Sequence, residues 1–454
     1  MAKLVTIGDS LTQGFSSLAI TYCDLSYPAI IADCMNLDSD SFRIPDFRGK
    51  GGMPFNVEYL ARKLEKEYHS NIKNFEWFGA IYDLFDLMDE VEDYWERGKG
   101  SKPSSDILYH NLAIWGYEVG DAYNISAKKA YNKFRKKDTG DNWFALPSEP
   151  RMRTAYKTLN PAHNDNRVED TQVSIAKKIK KNDGELENLI IFLGANNCLG
   201  TVTRLKINWT DKTPPGPFNS CTLWTPEAFI KEFDTLAEQI HSIGAKHVYF
   251  CTIPHITIPP FTRGIMKNKG RLPLDEKYYD YYAHFYVKDK QFDPDKNRCL
   301  KKEQAITIDN HIDIYNEHIR NVASKNSWHI IDFCQTLDNL AVRRNHGTMK
   351  YDLPVELKDL STRFFEINPN GTIKNGGIFS LDGIHPTTCG YAIMAHEATK
   401  VIKKVNSDLE INNVDFKKYR ALDMLVSRPP RTLDDIFGML SFLETKFLLF
   451  SRFL

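Results

Sequence analysis

Short apolar stretches alternate along this chain with longer amphipathic ones, and this alternation limits the possible folds more than any other feature. Buried strands are predicted at residues 4–7, 189–193, 247–253 and 329–333, with a weaker one at 107–114. Helical spacing of apolar residues follows at 27–35, 226–240, 315–323 and 391–402. Strands that alternate with helices predict an α/β protein, with a parallel sheet covered by helices on both faces.

The chain is much longer than such a sheet and its helices require. Four long segments interrupt the pattern, at about residues 38–105, 117–185, 201–224 and 255–305. Loops of this length usually form functional walls or lids. We therefore expect a single domain over residues 1–405 that carries these insertions, followed by a C-terminal helical extension over 406–454.

Composition and charge exclude several kinds of partner. Lys plus Arg and Asp plus Glu both number 59, so no net charge attracts nucleic acid or an anionic membrane. No apolar run without charges reaches membrane-spanning length. Residues 433–454 have a broad apolar helix face, which predicts core packing or a subunit contact, with weak membrane-surface binding as the alternative.

The N-terminus and the cysteines bear on the compartment. The first strand begins by Lys3, which leaves no room for a signal sequence, so we expect a cytoplasmic protein if this is the natural start. The eight cysteines contain no C-x-x-C pair, which fits neither a zinc motif nor a dense disulfide framework. Reduced and mostly buried thiols are expected.

A possible serine nucleophile stands at the end of the first strand. Ser10 follows that strand within the segment GDSL, and the carboxyl ends of parallel strands are where chemistry collects. Near the other end of the chain, Asp382 and His385 lie three residues apart, and Gly383 between them permits a sharp turn. A serine nucleophile requires such a base and such an orienting acid. Taken singly, each motif is also what a turn or a helix cap would show.

Two further strand ends offer hydrogen-bond donors for an oxyanion hole. Gly116 ends the segment 111–116 and can expose a backbone N–H, whereas Asn196 follows the strand at 189–193 and presents an amide. Each is also compatible with an ordinary turn. Four such motifs at strand tips, in the order Ser, Gly, Asn and Asp-x-x-His, are much harder to attribute to chance.

This arrangement resembles the SGNH hydrolase superfamily, also called GDSL esterases and lipases. The matching pieces are GDSL at 8–11, the segment 111–116, GANN at 194–197 and DGIHP at 382–386. The resemblance implies a flavodoxin-like, three-layer α/β/α fold and the hydrolysis of esters. It implies Ser10 as nucleophile, His385 as base and then acid, and Asp382 as the orienting carboxylate. It also implies an oxyanion hole made by the Ser10 and Gly116 N–H groups and the Asn196 side chain.

One position departs from the family pattern. Asn197 stands where the family usually has Asp, and an amide keeps one acceptor oxygen but loses the charge.

The sequence as a whole predicts a serine-type hydrolase of carboxylic esters that forms an acyl-enzyme and requires no metal and no organic cofactor. Its expected partner is a small-molecule or lipid ester and not a nucleic acid. The aromatic and proline-rich segment 255–305 favours acyl or lipid esters, since it offers a wall for an acyl pocket. The alternatives are an acyltransferase that uses the same site and a catalytically silent binding protein on the same scaffold.

Overall fold

The structure is a computed structural model that describes residues 1–69, 72–73, 75–137, 145–210, 221–268, 270–287, 292–362, 366–367 and 373–431. The strands within those residues are β1 (Ala2–Gly8), β2 (Phe15–Ser16), β3 (Ala19–Ile20), β4 (Met53–Pro54), β5 (Leu186–Phe192), β6 (His247–Cys251), β7 (Thr262–Ile265), β8 (Tyr281–His284), β9 (Leu300–Lys301), β10 (His329–Ile331), β11 (Glu366–Ile367) and β12 (Ile373–Asn375). The helices are α1 (Ser10–Gln13), α2 (Tyr27–Cys34), α3 (Val57–Tyr68), α4 (Trp77–Glu96), α5 (Asp121–Asn124), α6 (Ala127–Phe134), α7 (Pro150–Leu159), α8 (Gln172–Asp183), α9 (Asn196–Arg204), α10 (Pro226–His241), α11 (Lys302–Lys325), α12 (Phe333–Leu340), α13 (Thr388–Val405), α14 (Phe416–Leu422) and α15 (Met424–Ser427).

A parallel sheet in the order β1-β5-β6-β10 forms the centre of the protein. Residues 110–114 run beside the outer edge of β1, where the Thr6 N–H donates to the His110 carbonyl (2.9 Å) and the Leu112 N–H donates to the Thr6 carbonyl (2.9 Å). With this segment counted as the second strand, the order is 2-1-3-4-5, as in flavodoxin-like sheets.

The predicted strand at 107–114 is therefore an irregular edge with a single bridge between Thr6 and Asn111. The Asn111 side chain explains the irregularity. Its Oδ1 accepts from the Ala113 N–H (3.1 Å) and its Nδ2 donates to the Thr12 carbonyl (2.9 Å). Local bonds of this kind compete with a regular strand ladder.

Alternate residues of the central strands enter two separate cores, as the period of two in a strand requires. Leu4 and Ile190 belong to a core shared with α2 and α13. Val5 and Leu189 belong to a second core, shared with α8, α10 and α11. Helices thus cover both faces of the sheet, and the predicted α/β/α architecture is confirmed.

Threonine side chains cap the two helices that cover the predicted segments 226–240 and 391–402. The Thr225 side chain accepts from the Ala228 N–H (3.3 Å) at α10, and the Thr387 side chain accepts from the Gly390 N–H (3.4 Å) at α13. The interruption at 38–105 contains α3 and α4, and that at 255–305 contains the small antiparallel sheet β7-β8-β9.

The remaining sequence predictions concern the C-terminal tail, the domain boundary, the cysteines and membrane-spanning segments. The apolar face of 433–454 lies outside the described residues, and the domain division at residue 405 stays a prediction. All eight cysteines are described, and none is paired with another. Within the described ranges, no helix combines the length and the hydropathy needed to cross a bilayer.

Candidate active site

Ser10 lies at the turn between β1 and α1, at the carboxyl edge of the central sheet. Asp9 is the residue that makes this turn, since its side-chain Oδ1 caps α1 by accepting from the Leu11 N–H (3.1 Å). Ser10 is the first residue of the helix and its side chain is nearly buried, with 7% exposure. The local sequence therefore places the Ser10 hydroxyl at the edge of the sheet and buries the carboxyl group of Asp9 beside it.

Three residues predicted from the sequence form one hydrogen-bonded chain. The Oγ of Ser10 lies 2.9 Å from Nε2 of His385, although 375 positions separate the two residues. Nδ1 of the same imidazole lies 3.0 Å from Oδ2 of Asp382. His385 and Asp382 are buried, and the ring of Phe15 packs on the imidazole with a centroid distance of 4.6 Å.

Asp382 accepts hydrogen bonds from the backbone as well as from the imidazole. Its Oδ1 accepts from the Ile384 and His385 N–H groups (2.9 and 2.8 Å), and its Oδ2 accepts from the Leu18 N–H (3.0 Å). Complete burial alone would raise the pKa of Asp382, but the charge of His385 and these hydrogen bonds outweigh it and hold the pKa below its usual value. The carboxylate is therefore ionised and fixed in position opposite Nδ1.

The turn between Asp382 and His385 depends on Gly383. Its φ is +72°, in the left-handed region that other residues rarely adopt, and a Cβ there would lie 3.0 Å from the Phe261 backbone nitrogen. Because the turn is this tight, the carboxylate can cap its own backbone and still reach the imidazole three residues later.

A hairpin that the sequence did not indicate holds the Asp382 loop in place. Between β2 and β3, Ser17 and Leu18 both have positive φ values of 53° and 65°. The Ser17 N–H donates to Ser380 Oγ (2.9 Å), beside the bond from Leu18 to Asp382. Two-residue turns of this type usually contain Asn or Gly, so Ser-Leu gave no signal for a hairpin at this point.

Two of the three predicted oxyanion donors are backbone N–H groups without an acceptor. Neither the Ser10 N–H nor the Gly116 N–H has a hydrogen-bond partner within the described residues. Gly116 has a φ of +73°, and its neighbour Trp115 is tied to α1, since the Trp115 N–H donates to Gln13 Oε1 (2.8 Å). Most backbone N–H groups in folded proteins have an acceptor, so each of these two can still donate to a further one.

The third predicted donor, Asn196, is already engaged. Its Nδ2 donates to the Tyr117 carbonyl (2.9 Å) and to Oδ2 of Asp9 (3.2 Å). A side-chain amide has two hydrogens, so both are used before a substrate arrives. Donation to an oxyanion therefore requires Asn196 to give up or share one of these bonds.

Asp9, which accepts a hydrogen bond from the Asn196 amide, has a raised pKa. Burial raises its pKa to about 7, although the hydrogen bond from the Leu11 N–H opposes the shift. Near neutral pH this group exchanges a proton while it contacts both α1 and the Asn196 amide.

Asn197 stands where the SGNH pattern usually has Asp, and its side chain makes one hydrogen bond through its oxygen. Its Oδ1 accepts from the Val119 N–H (3.2 Å), whereas its buried Nδ2 has no acceptor within the described part of the chain. The amide therefore still holds the loop at 116–120, but it leaves one polar group unsatisfied.

Ser10 is part of the lining of an apolar cavity. Together with the solvent space at its opening, the cavity has a volume of about 850 Å³. One wall is α12, with Phe333, Leu337 and Leu340, and a second is α13, with Ile393 and Met394.

Very few polar groups line this cavity. Ser10, His385, Asn196 and Thr336 supply the polar side chains, and the first three belong to the arrangement already described. From the segment 255–305, Ile256 and Pro259 line the cavity, whereas the tyrosines at 278–286 lie elsewhere. The expectation of a wall from this segment therefore holds for its first residues and not for its aromatic cluster.

Comparisons with known proteins assign no family to this chain. No protein-family model matches the chain, and no curated protein matches it. Among solved structures, the crystal structure of an acetyl xylan esterase, AlAXEase, aligns with 51% of this chain and 74% of its own, at 14% identity and a TM-score of 0.24. A similarity at that TM-score carries no weight for the fold or the function of this protein.

Proposed function

We propose that this protein is a serine-type hydrolase of carboxylic esters, and that it belongs with the SGNH hydrolases that its motifs resemble. The observation that supports this most directly is the hydrogen-bonded chain from Ser10 through His385 to Asp382, with the serine in the lining of an apolar cavity. A nucleophile, a base and a carboxylate that orients the base are what acyl transfer to serine requires.

In the first half of the reaction, Ser10 Oγ attacks the ester carbonyl and its proton passes to Nε2 of His385. The ionised Asp382 accepts from Nδ1–H and stabilises the imidazolium that forms. The negative charge that develops on the carbonyl oxygen meets the unpartnered N–H groups of Ser10 and Gly116. Collapse of the intermediate breaks the ester C–O bond, and His385 returns the proton to the departing alcohol.

In the second half, water attacks the acyl-serine while His385 Nε2 accepts a proton from it. The same two backbone donors hold the second oxyanion. Breakdown releases the carboxylic acid, and the proton on His385 returns to Ser10 Oγ. Asn196 adds a third donor if one of its bonds, to Tyr117 or to Asp9, is exchanged for the oxyanion.

The cavity favours an apolar acyl group over an acetylated sugar. Apart from the reacting groups, Thr336 is the polar side chain in its lining, whereas a sugar ring would leave several hydroxyl groups without partners. Apolar surface from α12 and α13 stabilises an acyl chain by about 0.8 kcal/mol per buried methylene. We therefore assign the preferred substrates to esters of acyl chains longer than acetyl.

A panel of p-nitrophenyl esters of graded chain length tests the proposal. We expect turnover that rises from acetyl to longer chains, and a loss on the order of 10³-fold or more in the Ser10→Ala variant. Ser324→Ala, an exposed serine on α11, is the matched control and should retain full activity. Retention of most turnover by Ser10→Ala would contradict the assignment, and a folded protein that binds acyl ligands but hydrolyses none of the esters would point to a binding protein.

A further inference from the structure

A cluster of three potential metal ligands lies next to the cavity wall, and none of the three lines the cavity. His255 follows β6, whereas Cys334 and Asp338 stand four residues apart on one face of α12. Nδ1 of His255 lies 2.9 Å from Oδ1 of Asp338 and 3.8 Å from Sγ of Cys334. All three ligand atoms lie within 4.8 Å of one another, so a single ion can contact them together.

The other ring nitrogen of His255 provides a second, independent observation. Nε2 lies 3.1 Å from Oδ1 of Asp313, on α11. Histidines that bind metals almost always donate their remaining N–H to a carboxylate or a carbonyl, which fixes the tautomer and the ring orientation. With Nε2–H donated to Asp313, the lone pair on Nδ1 faces Cys334 and Asp338.

We propose that His255 Nδ1, Cys334 Sγ and the Asp338 carboxylate form a binding site for a zinc-like divalent cation, with Asp313 as the positioning carboxylate. The donor set is one imidazole, one thiolate and one carboxylate, which suits Zn²⁺ and disfavours Mg²⁺ or Ca²⁺. Binding replaces the thiol S–H bond by a sulfur–metal bond and releases that proton to solvent. The Asp338 side chain is 30% exposed, so the ion has a path of entry and water can occupy a fourth position.

The proposed ligands come from two segments that line the cavity beside Ser10: the residues after β6 and α12. Pro254 and Ile256, on either side of His255, line that cavity, and so do Thr336 and Leu337 on α12. An ion bound to His255 and α12 therefore fixes the spacing of these walls. The role is structural, and it does not depend on the proposed ester hydrolysis.

The alternative occupant of the cluster is a proton. A doubly protonated His255 would donate to Asp313 and Asp338 at once, and the two carboxylates do raise the pKa of this imidazole against the effect of its burial. The metal-bound and the protonated states differ at Cys334, because its sulfur binds directly to a metal but has no such bond in the protonated state.

Cobalt titration of the metal-free, reduced full-length protein separates the two. We expect one equivalent of Co²⁺ to bind with a thiolate-to-cobalt charge-transfer band in the near ultraviolet, and Zn²⁺ to displace it. Cys334→Ser should abolish the band, whereas Cys299→Ser, at a half-buried cysteine outside the cluster, should retain it. Asp313→Asn should retain the band and bind about 10- to 100-fold more weakly.

A thermal readout covers a Cys334 variant that fails to fold. Zn²⁺ should raise the unfolding temperature of the metal-free wild type in a concentration-dependent manner, since it binds the folded state. A cobalt spectrum without a thiolate band, the same band in Cys334→Ser, or no thermal shift with Zn²⁺ would overturn the proposal, and His255 would then act as a buried imidazolium between two carboxylates.

Discussion

At the residue scale, Ser10, His385 and Asp382 lie where their sequence motifs suggest, but the groups that hold them were not visible in the sequence. The Leu18 N–H and the Ser380 hydroxyl come from turns without a signature, and Phe15 meets the imidazole only through the fold. That these three residues meet could be predicted, because the proposed chemistry limits which side chains can take part and the sequence contains them in recognisable motifs. Their supports could not, since backbone N–H groups and apolar rings occur everywhere in a chain.

The charge of Asp382 gives the first prediction. Asp382→Asn keeps the size of the side chain but places an NH₂ group among four N–H donors, so the imidazole loses its acceptor or the loop shifts. We expect kcat for ester hydrolysis to fall by about 10³- to 10⁴-fold with the fold retained, as measured by steady-state kinetics and circular dichroism. A loss below tenfold would show that Asp382 does not orient the base.

The buried acid at Asp9 gives a prediction for pH. Its pKa rises from 3.8 to about 7 on folding, so between these values the folded state holds a proton that the unfolded state has lost. Stability therefore falls as the pH rises through this window, by up to about 1.4 kcal/mol per pH unit from this group.

Asp9→Asn removes this titration and should reduce, over the same window, the slope of the free energy of unfolding against pH, measured by urea denaturation. Asp40→Asn, at an exposed carboxyl, is the control and should leave the wild-type slope. An Asp9→Asn variant with the wild-type slope would contradict the assigned shift.

At the element scale, the hairpin β2-β3 and the helices α12 and α13 shape the site. The hairpin ties the N-terminal region to the loop that bears Asp382, and the two helices form the cavity walls. Apolar spacing predicted the helix at 391–402, which α13 contains. It did not predict α12, whose first residue, Phe333, was assigned to the strand predicted at 329–333.

Ser380 tests the hairpin contact. Ser380→Ala leaves the buried Ser17 N–H without its acceptor, which costs about 1–3 kcal/mol in the free energy of unfolding. We also expect slower turnover, because the hydrogen bond from the neighbouring Leu18 N–H to Asp382 weakens. Denaturant unfolding and ester kinetics measure the two effects, with Ser324→Ala as the control. Wild-type values for both quantities would show that the hairpin does not support the site.

Ile393 tests the cavity wall. This α13 residue is almost fully buried and lines the cavity, so Ile393→Phe fills space that an acyl chain would occupy. We expect kcat/KM for long-chain esters to fall about 10- to 100-fold relative to the acetyl ester, a change of about 1–3 kcal/mol. The smaller Ile393→Val is the matched control and should keep the ratio. An unchanged ratio in a folded Ile393→Phe variant would place the acyl group outside this cavity.

At the scale of the whole molecule, the alternation of strands and helices was enough to predict the α/β/α layers, because burial of each strand on both faces demands it. The cavity walls could not be predicted in the same way. They combine residues from after β6, from α12 and from α13, and such combinations arise from tertiary packing. The tyrosines at 278–286 illustrate the difference, since Tyr282 on β8 is buried in the core and Tyr278 donates to Asp309, away from the cavity.

We propose that folding activates Ser10 as a nucleophile by bringing it to the imidazole of His385. Reaction with a fluorophosphonate probe, followed by intact mass and peptide mapping, measures this most directly. We expect one probe per native chain, attached to Ser10, and none in His385→Ala or in urea-unfolded protein. A native, folded chain that remains unlabelled, a label on another serine, or equal labelling after unfolding would contradict it.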